Sequence, residues 1–304
     1  MAYSNIHSFH RHPLYDPSED LPIQPAGDSC LLELRDTVKV QTRMFPAVLP
    51  AVPLIDHALD WRTARELTSD YFDCFAMPGG SLGLAIGEVS GRGMAAALMT
   101  PVLHGMVRGM GMAGDRSLME MVSKIDETFS RICPEGCFAT LFVAEIDPAR
   151  RRLRYVNAGH EPPLVVRTAK HREHTILLEA TGSVIGMLRH SRCRERVCSM
   201  APDDVVVAMT DGVCDAENAD GQVWGRERLL GIIHECEGLP ATYIVEEIFT
   251  ALDRATEGAA IHNDMTLWLG HLQNEVKRPR SLVETEAVRT AVESEQFAAA
   301  LAGI

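Results

Sequence analysis

Acidic residues stand at four places where a β-rich run meets a tight turn. They are Glu66, Asp70 and Asp73; Glu88, within Gly87, Glu88, Val89, Ser90 and Gly91; Asp211, between Thr210 and Gly212; and Asp264, within His262, Asn263, Asp264, Met265 and Thr266. A single Asp at a strand end is more often a turn former than a ligand. Four such groups, far apart in sequence yet each ending a strand, can instead converge on hard divalent cations, because magnesium and manganese take oxygen ligands and retain water. The chemistry of such a site is hydrolytic.

The elements that must position these groups are short. Leu82, Leu84 and Ile86 alternate with Gly83, Ala85 and Gly87, which predicts a strand with one bulky and one close-packed face ending at Glu88. A helix follows over 94–110, with a kink expected at Pro101. Ser117 and Glu120 form a capping box ahead of Leu118, Val122, Ile125 and Phe129, so a second helix begins there. Strands are expected at 138–146, 153–156, 164–166, 175–178 and 205–209, helices at 227–236 and 241–254, and a last strand at 265–269. Strands without regular βα alternation argue against a doubly wound parallel sheet and favour antiparallel sheets with helices on their outer faces.

The 304 residues carry 42 acidic and 29 basic side chains, a net charge of −13, which disfavours nonspecific binding to nucleic acid. Against that background the stretch 150–196 holds eleven Lys or Arg and four Glu. Charge of this kind at strand edges blocks edge pairing, or offers an acidic partner a docking surface. The most apolar stretch, 94–113, is broken by Pro101, His104 and Arg108, so no membrane span is expected. Eight scattered cysteines read as reduced thiols of a cytoplasmic protein. The expected organisation is a Pro-rich flexible tail over 1–30, a folded unit over 31–273 led by a short helix, and a linker with a tail helix over 274–304.

Six strings, AREL with TSDYFD (64–73), IGEVSGRGMAAALM (86–99), PEGCFATLF (134–142), YVNAGHEPPL (155–164), TDGVCDAENADG (210–221) and HNDMTLWL (262–269), together resemble the metal-dependent protein phosphatases, the PPM family. Within it they are most similar to the bacterial SpoIIE-like or RsbU-like branch, over roughly residues 40–269. The resemblance implies an α+β fold, a sandwich of two antiparallel sheets with helices on both outer faces. It implies two divalent cations, Mn2+ or Mg2+, at one end of the sandwich, where water is activated to attack a phosphoserine or phosphothreonine protein. The substrate usual in that branch is a phosphorylated anti-sigma-factor antagonist in a partner-switching circuit.

Matched residue by residue, Asp70 takes the place of the first acidic ligand, Glu88 that of the bridging carboxylate, Val89 that of the neighbouring backbone carbonyl and Asp211 that of a ligand to the first metal. The last acidic ligand falls at Asn263, with Asp264 beside it as the alternative. Arg65 stands where the family often places a phosphate-binding Arg, whose planar fork grips two oxygens; its plain alternative is a surface ion pair with Glu66 or Asp73. His160 reads as a structural hydrogen-bond partner rather than a proton donor.

The sequence departs from the family pattern at three points. Glu88 replaces the usual Asp, neutral Asn263 replaces a carboxylate, and Thr68 and Ser69 replace a Gly pair. Weaker metal binding follows, so a regulatory phosphatase and a silent module that binds a phosphoprotein or a kinase both stay open. The signal is expected from a partner in trans, and the tail helix could serve that contact or a homodimer.

Overall fold

The computed structural model describes residues 28–77, 79–91, 94–111, 117–167, 174–187, 193–257, 259 and 261–274. Two compact units divide between Thr37 and Val38. Of the first, residues 28–37 are described and are helical, forming the start of α1 (Asp28–Thr42). The rest of the expected N-terminal tail and the tail helix expected within 274–304 lie outside the described residues, as do Arg92 and Gly93 of the turn after Glu88.

The second unit is a sandwich. One sheet runs in the order β1 (Ile55–Arg62), β10 (Met265–Leu272), β9 (Val205–Met209), β6 (Leu164–Arg167), β7 (His174–Leu177). The other runs β2 (Asp70–Ala76), β3 (Leu82–Val89), β4 (Ala139–Asp147), β5 (Arg152–Ala158), β8 (Arg196–Ser199). Every pairing between these strands is antiparallel. Helices α2 (Met94–Gly111) and α3 (Leu118–Ile132) pack on the second sheet, and α6 (Ala241–Ala255), with α5 (Arg226–Glu235) beside it, packs on the first. α4 (Asp211–Cys214) is a single turn at the end of β9.

Strand alternation sorts the side chains into three apolar layers. Phe72, Leu84, Ile86, Phe142, Val206 and Trp268 meet between the sheets. Ala85, Val143 and Val156 face Leu103, Ile125 and Phe129 of the helices. Val207, Leu267 and Leu269 face Ile233, Ile248 and Phe249 on the opposite side. The close-packed face of β3 has a specific cause: a Cβ on Gly83 would lie 2.4 Å from the Phe75 ring, which also fills the space beside Gly111.

Local chemistry explains the start of α3 and the continuation of α2 past its proline. Ser117 Oγ accepts the Glu120 N–H at 3.2 Å, and Glu195 Oε2 takes the Leu118 N–H at 3.1 Å, so two free N-terminal donors of α3 are satisfied. Pro101 does not end α2, which runs on to Gly111. Lacking an N–H, it leaves the Ala97 carbonyl without its helical donor, and the buried Gln41 Nε2 donates to that oxygen at 3.4 Å. Two strands were not expected from the sequence. In β1, His57 interrupts the inward row of Ile55, Leu59 and Trp61; β8 is four residues with Arg196 at its start.

Three of the seven described basic residues in this stretch are paired within the chain. Arg150 bonds Asp147, Arg154 reaches both Glu145 and Glu195, and Arg167 lies 3.8 Å from Asp204. Lys170, Arg172, Arg189 and Arg192 lie outside the described residues. None of the described helices is long and apolar enough to cross a membrane.

Phe142 is fully buried between the sheets and stacked on Tyr155. Phe142→Ala therefore costs about 3–5 kcal/mol of folding stability, read as a lowered urea midpoint; a loss under about 1 kcal/mol would contradict this packing.

Candidate metal and phosphate site

The apolar layer between the sheets turns polar at one end. Asp70 on β2 and Glu88 on β3 stand directly opposite each other, and Thr140 on β4 continues the row. Directly opposed residues share a face of the sheet, and like charges placed so are destabilising. The expected convergence of Asp70 with Glu88 thus arises from strand register.

Asp70 is 1% exposed. Its Oδ2 accepts the hydroxyls of Thr210 at 2.9 Å and Thr266 at 2.7 Å, both from the opposite sheet. Those threonines also bond each other, Thr266 N–H to Thr210 Oγ1 at 2.9 Å and Thr210 N–H to the Thr266 carbonyl at 3.0 Å. Burial, with the fields of Asp264 and Glu88 adding to it, holds the Asp70 carboxyl well above the ordinary carboxylate range despite these bonds. Burial also pushes Glu88 up to about 7, helped by Asp211 and Asp264. Asp211 is raised by burial and then by Asp215. Among the described residues, no Arg or Lys stands among the main influences on these three carboxyls.

Asp211 opens α4, whose turn is closed by the Asp215 N–H on the Asp211 carbonyl at 2.8 Å. Thr210 precedes it without capping the turn, because its hydroxyl is committed to Asp70. Gly212 lets this turn approach the 263–264 segment: a Cβ there would lie 2.1 Å from the Asp264 carbonyl oxygen.

Asp264 and Asn263 occupy different roles. The Asp264 carboxylate accepts Ala64 N–H at 2.8 Å, Thr68 Oγ1 at 2.9 Å, Ser69 N–H at 2.8 Å and Ser69 Oγ at 3.2 Å. A carboxylate has about four acceptor positions, so this one is largely engaged in strapping down the 64–69 turn. Asn263 is exposed. The two hydroxyl residues that replace a Gly pair are therefore the straps for Asp264, and Thr68 Oγ1 also accepts the Asp70 N–H at 3.0 Å. Gln41 grips Thr68 from behind, accepting its N–H at 2.9 Å and donating to its carbonyl at 2.7 Å. These straps were missed in the sequence; the hydroxyl pair immediately before Asp70 was their only signal.

A cavity of about 350 Å³ opens at this end, with Arg65, Ser69, Glu88, Asn263 and Asp264 on its wall. Arg65 is exposed there and makes no ion pair among the described residues; Asp73 instead pairs with Arg108 on the opposite face of the sheet. Asp70 and Asp211 are not on the cavity wall. Val89 follows Glu88 with its N–H on the Ser69 carbonyl at 3.0 Å. His160 is buried and held by Asn157, whose Oδ1 accepts its N–H at 2.8 Å and whose Nδ2 donates to its carbonyl at 3.1 Å. Burial lowers its ring to about 4, so it is neutral at pH 7.

The donor set suits hard cations. It is all oxygen, burial raises its carboxyls, and the fields between them add at Asp70 and Glu88. Among the described residues, no three His, Cys, Asp or Glu side chains are gathered closely enough to hold a metal ion by themselves. Magnesium is commonly held by one or two carboxylates, with water and phosphate oxygens completing its shell.

Two outcomes are expected. Gly212→Ala forces the Asp211 turn away from the Asp264 backbone and destabilises the fold by about 1–3 kcal/mol, measured by thermal melting, because neither backbone can yield cheaply. The raised Glu88 carboxyl sets a pH dependence. An acid whose folded pKa is raised stabilises the fold when protonated, and that contribution is lost as pH rises from the ordinary 4.5 toward about 7. In chelator-treated protein, Glu88→Gln should melt higher than the parent at pH 7.5, with the difference shrinking by pH 5; an equal melting temperature at both would refute the assignment.

Comparison with known proteins follows the same lines. The family profile for Stage II sporulation protein E (SpoIIE) matches residues 78–272. Protein IcfG of Synechocystis is 27% identical over 227 residues, covering 66% of this chain and 35% of IcfG. Phosphoserine phosphatase RsbP of Bacillus subtilis is 26% identical over 229 residues, covering 74% of this chain and 54% of RsbP. The chain thus spans between about a third and about half of these relatives. The SiaA-PP2C domain of Pseudomonas aeruginosa shares the fold, with a TM-score of 0.69 at 17% identity over 80% of this chain and 97% of that domain. The sandwich, the strand-end carboxylates and the profile match over most of the folded unit agree, and the chain belongs to the SpoIIE family.

Proposed function

We propose that residues 31–273 form a metal-dependent phosphatase acting on phosphoserine or phosphothreonine of a protein. The observation that carries this reading is the Asp70–Glu88 pair: two carboxyl groups opposed across a ladder, one of them buried, with no Arg or Lys among the described residues as a main influence on either. The likeness to a phosphoserine phosphatase, RsbP, supports the choice of substrate class.

In this reading Asp70, Glu88, the Val89 carbonyl, Asp211 and Asn263 hold two Mn2+ or Mg2+ ions, and the Asp264 charge adds to their field while its carboxylate holds the 64–69 turn. Bound there, divalent cations supply Lewis acidity and neutralise charge that develops on the phosphoryl oxygens. Arg65, unpaired on the cavity wall, binds two phosphate oxygens and sets the line of attack. Thr210 and Thr266 keep Asp70 in one rotamer, so little reorganisation is needed when phosphate arrives. The partner is a phosphorylated anti-sigma-factor antagonist in the cytoplasm, the input comes from a signalling partner in trans, and residues 274–304 serve that contact or a homodimer.

The test is phosphate release from an aryl phosphate and from a phosphoserine peptide, with Mn2+ or Mg2+. Asp211→Asn is expected to reduce turnover about a hundredfold or more, and Asn263→Asp to lower the metal concentration required. No turnover with either metal, or equal turnover in the Asp211→Asn protein, would leave a silent phosphoprotein-binding module instead.

A further inference from the structure

Glu88 is fixed by a chain of side chains that starts outside the metal-holding set. Its backbone N–H donates to Thr140 Oγ1 at 3.1 Å. Thr140 Oγ1 lies 3.0 Å from His160 Nδ1. The His160 ring is 4% exposed, and its own backbone is clasped on both sides by Asn157, which donates a further bond to the Leu178 carbonyl at 3.0 Å. Asn157 also takes part in the neighbouring loop, its N–H on Thr181 Oγ1 at 3.0 Å and its carbonyl accepting Thr181 N–H at 2.7 Å. None of these groups lines the cavity.

We propose that Thr140 and His160 are positioning residues for Glu88: the His160 Nδ1 accepts the Thr140 hydroxyl proton, which turns an oxygen lone pair of Thr140 onto the Glu88 N–H. The inference rests on the reading of Glu88 as a metal-holding group. A hydroxyl has one proton and two lone pairs, so a fixed acceptor for the proton fixes the direction in which the oxygen accepts. The neutral ring then carries its proton on Nε2. That atom is sealed from solvent without a partner in good hydrogen-bond geometry, although the Met209 carbonyl is near enough to act on it. Met209 ends β9 immediately before Thr210 and Asp211. His160 therefore spans the gap between the strand that carries Glu88's neighbour and the strand that delivers Asp211, and it relates the two carboxylates without touching either.

Outer partners of this kind change metal affinity by roughly 10–100-fold when removed.

The experiment measures Mn2+ binding directly, from the electron paramagnetic resonance signal of free Mn2+, on the full chain. Thr140→Val keeps the volume and removes the hydroxyl; it should weaken binding at least about tenfold, while Thr140→Ser stays within about twofold of the parent. His160→Gln should weaken binding as well, and the double variant with Thr140→Val should be no weaker than Thr140→Val alone, since both break one chain. Glu88→Gln is the control. If it weakens binding and Thr140→Val does not, the positioning role is wrong and the metal site stands; if Glu88→Gln itself leaves binding unchanged, the metal-site reading fails and this inference with it. Additive losses in the double variant would also overturn the chain. Should His160→Gln fail to fold, the contrast between Thr140→Val and Thr140→Ser still decides.

Discussion

A carboxyl group buried between two sheets governs the organisation of this end of the molecule. Asp70 sits with almost no exposure where β2 begins, and the only direct hydrogen bonds found for its carboxylate among the described residues come from Thr210 and Thr266 of the opposite sheet. Burying an ionised carboxylate is costly unless hydrogen bonds or a counter-charge offset it, and two hydroxyls offset it only in part. Under the proposed function, the remaining cost is what a bound cation would offset. Because its partners come from β10 and from the residue that follows β9, the same interaction that shapes the site also stitches the two sheets together at that edge.

Beyond that stitch, the site is arranged in tiers of hydrogen bonds. Thr68 receives the Asp70 N–H, Asp264 receives Thr68 and Ser69, and Gln41 clamps Thr68 while also serving the carbonyl that Pro101 leaves free on α2. Residues that look like departures from a family pattern thus have structural duties here. Thr68 and Ser69 lose the backbone freedom of a glycine pair and gain hydroxyls that hold a strand-end carboxylate. The consequence for Asp264 is that its charge is felt at Asp70 and Glu88 while most of its oxygen lone pairs are already engaged.

The architecture was readable from the sequence because each layer has its own period: the alternation of Leu82, Leu84 and Ile86 marks an inward face, and the capping serine at 117 marks a helix start. β1 was unreadable because His57, which accepts the Trp268 indole N–H, occupies an inward position where an apolar residue would have shown the pattern. At the site, the residue types were legible and their pairing was not. That Asp70 faces Glu88 depends on the register of β2 against β3, and that Asp264 is strapped while Asn263 is exposed depends on the path of the 64–69 turn. Arg65's freedom likewise follows from Asp73 pointing to the other side of the sheet, toward Arg108.

The three apolar layers have a consequence for how such a chain can diverge. The layer under α5 and α6 and the layer under α2 and α3 are separated by two sheets and share no side chains, so substitutions in one add to those in the other with little coupling. Each outer layer can drift through compensating changes of size without disturbing the strand ends where the carboxylates stand. An outer helical face can therefore change the surface it offers a partner while the strand ends stay where they are.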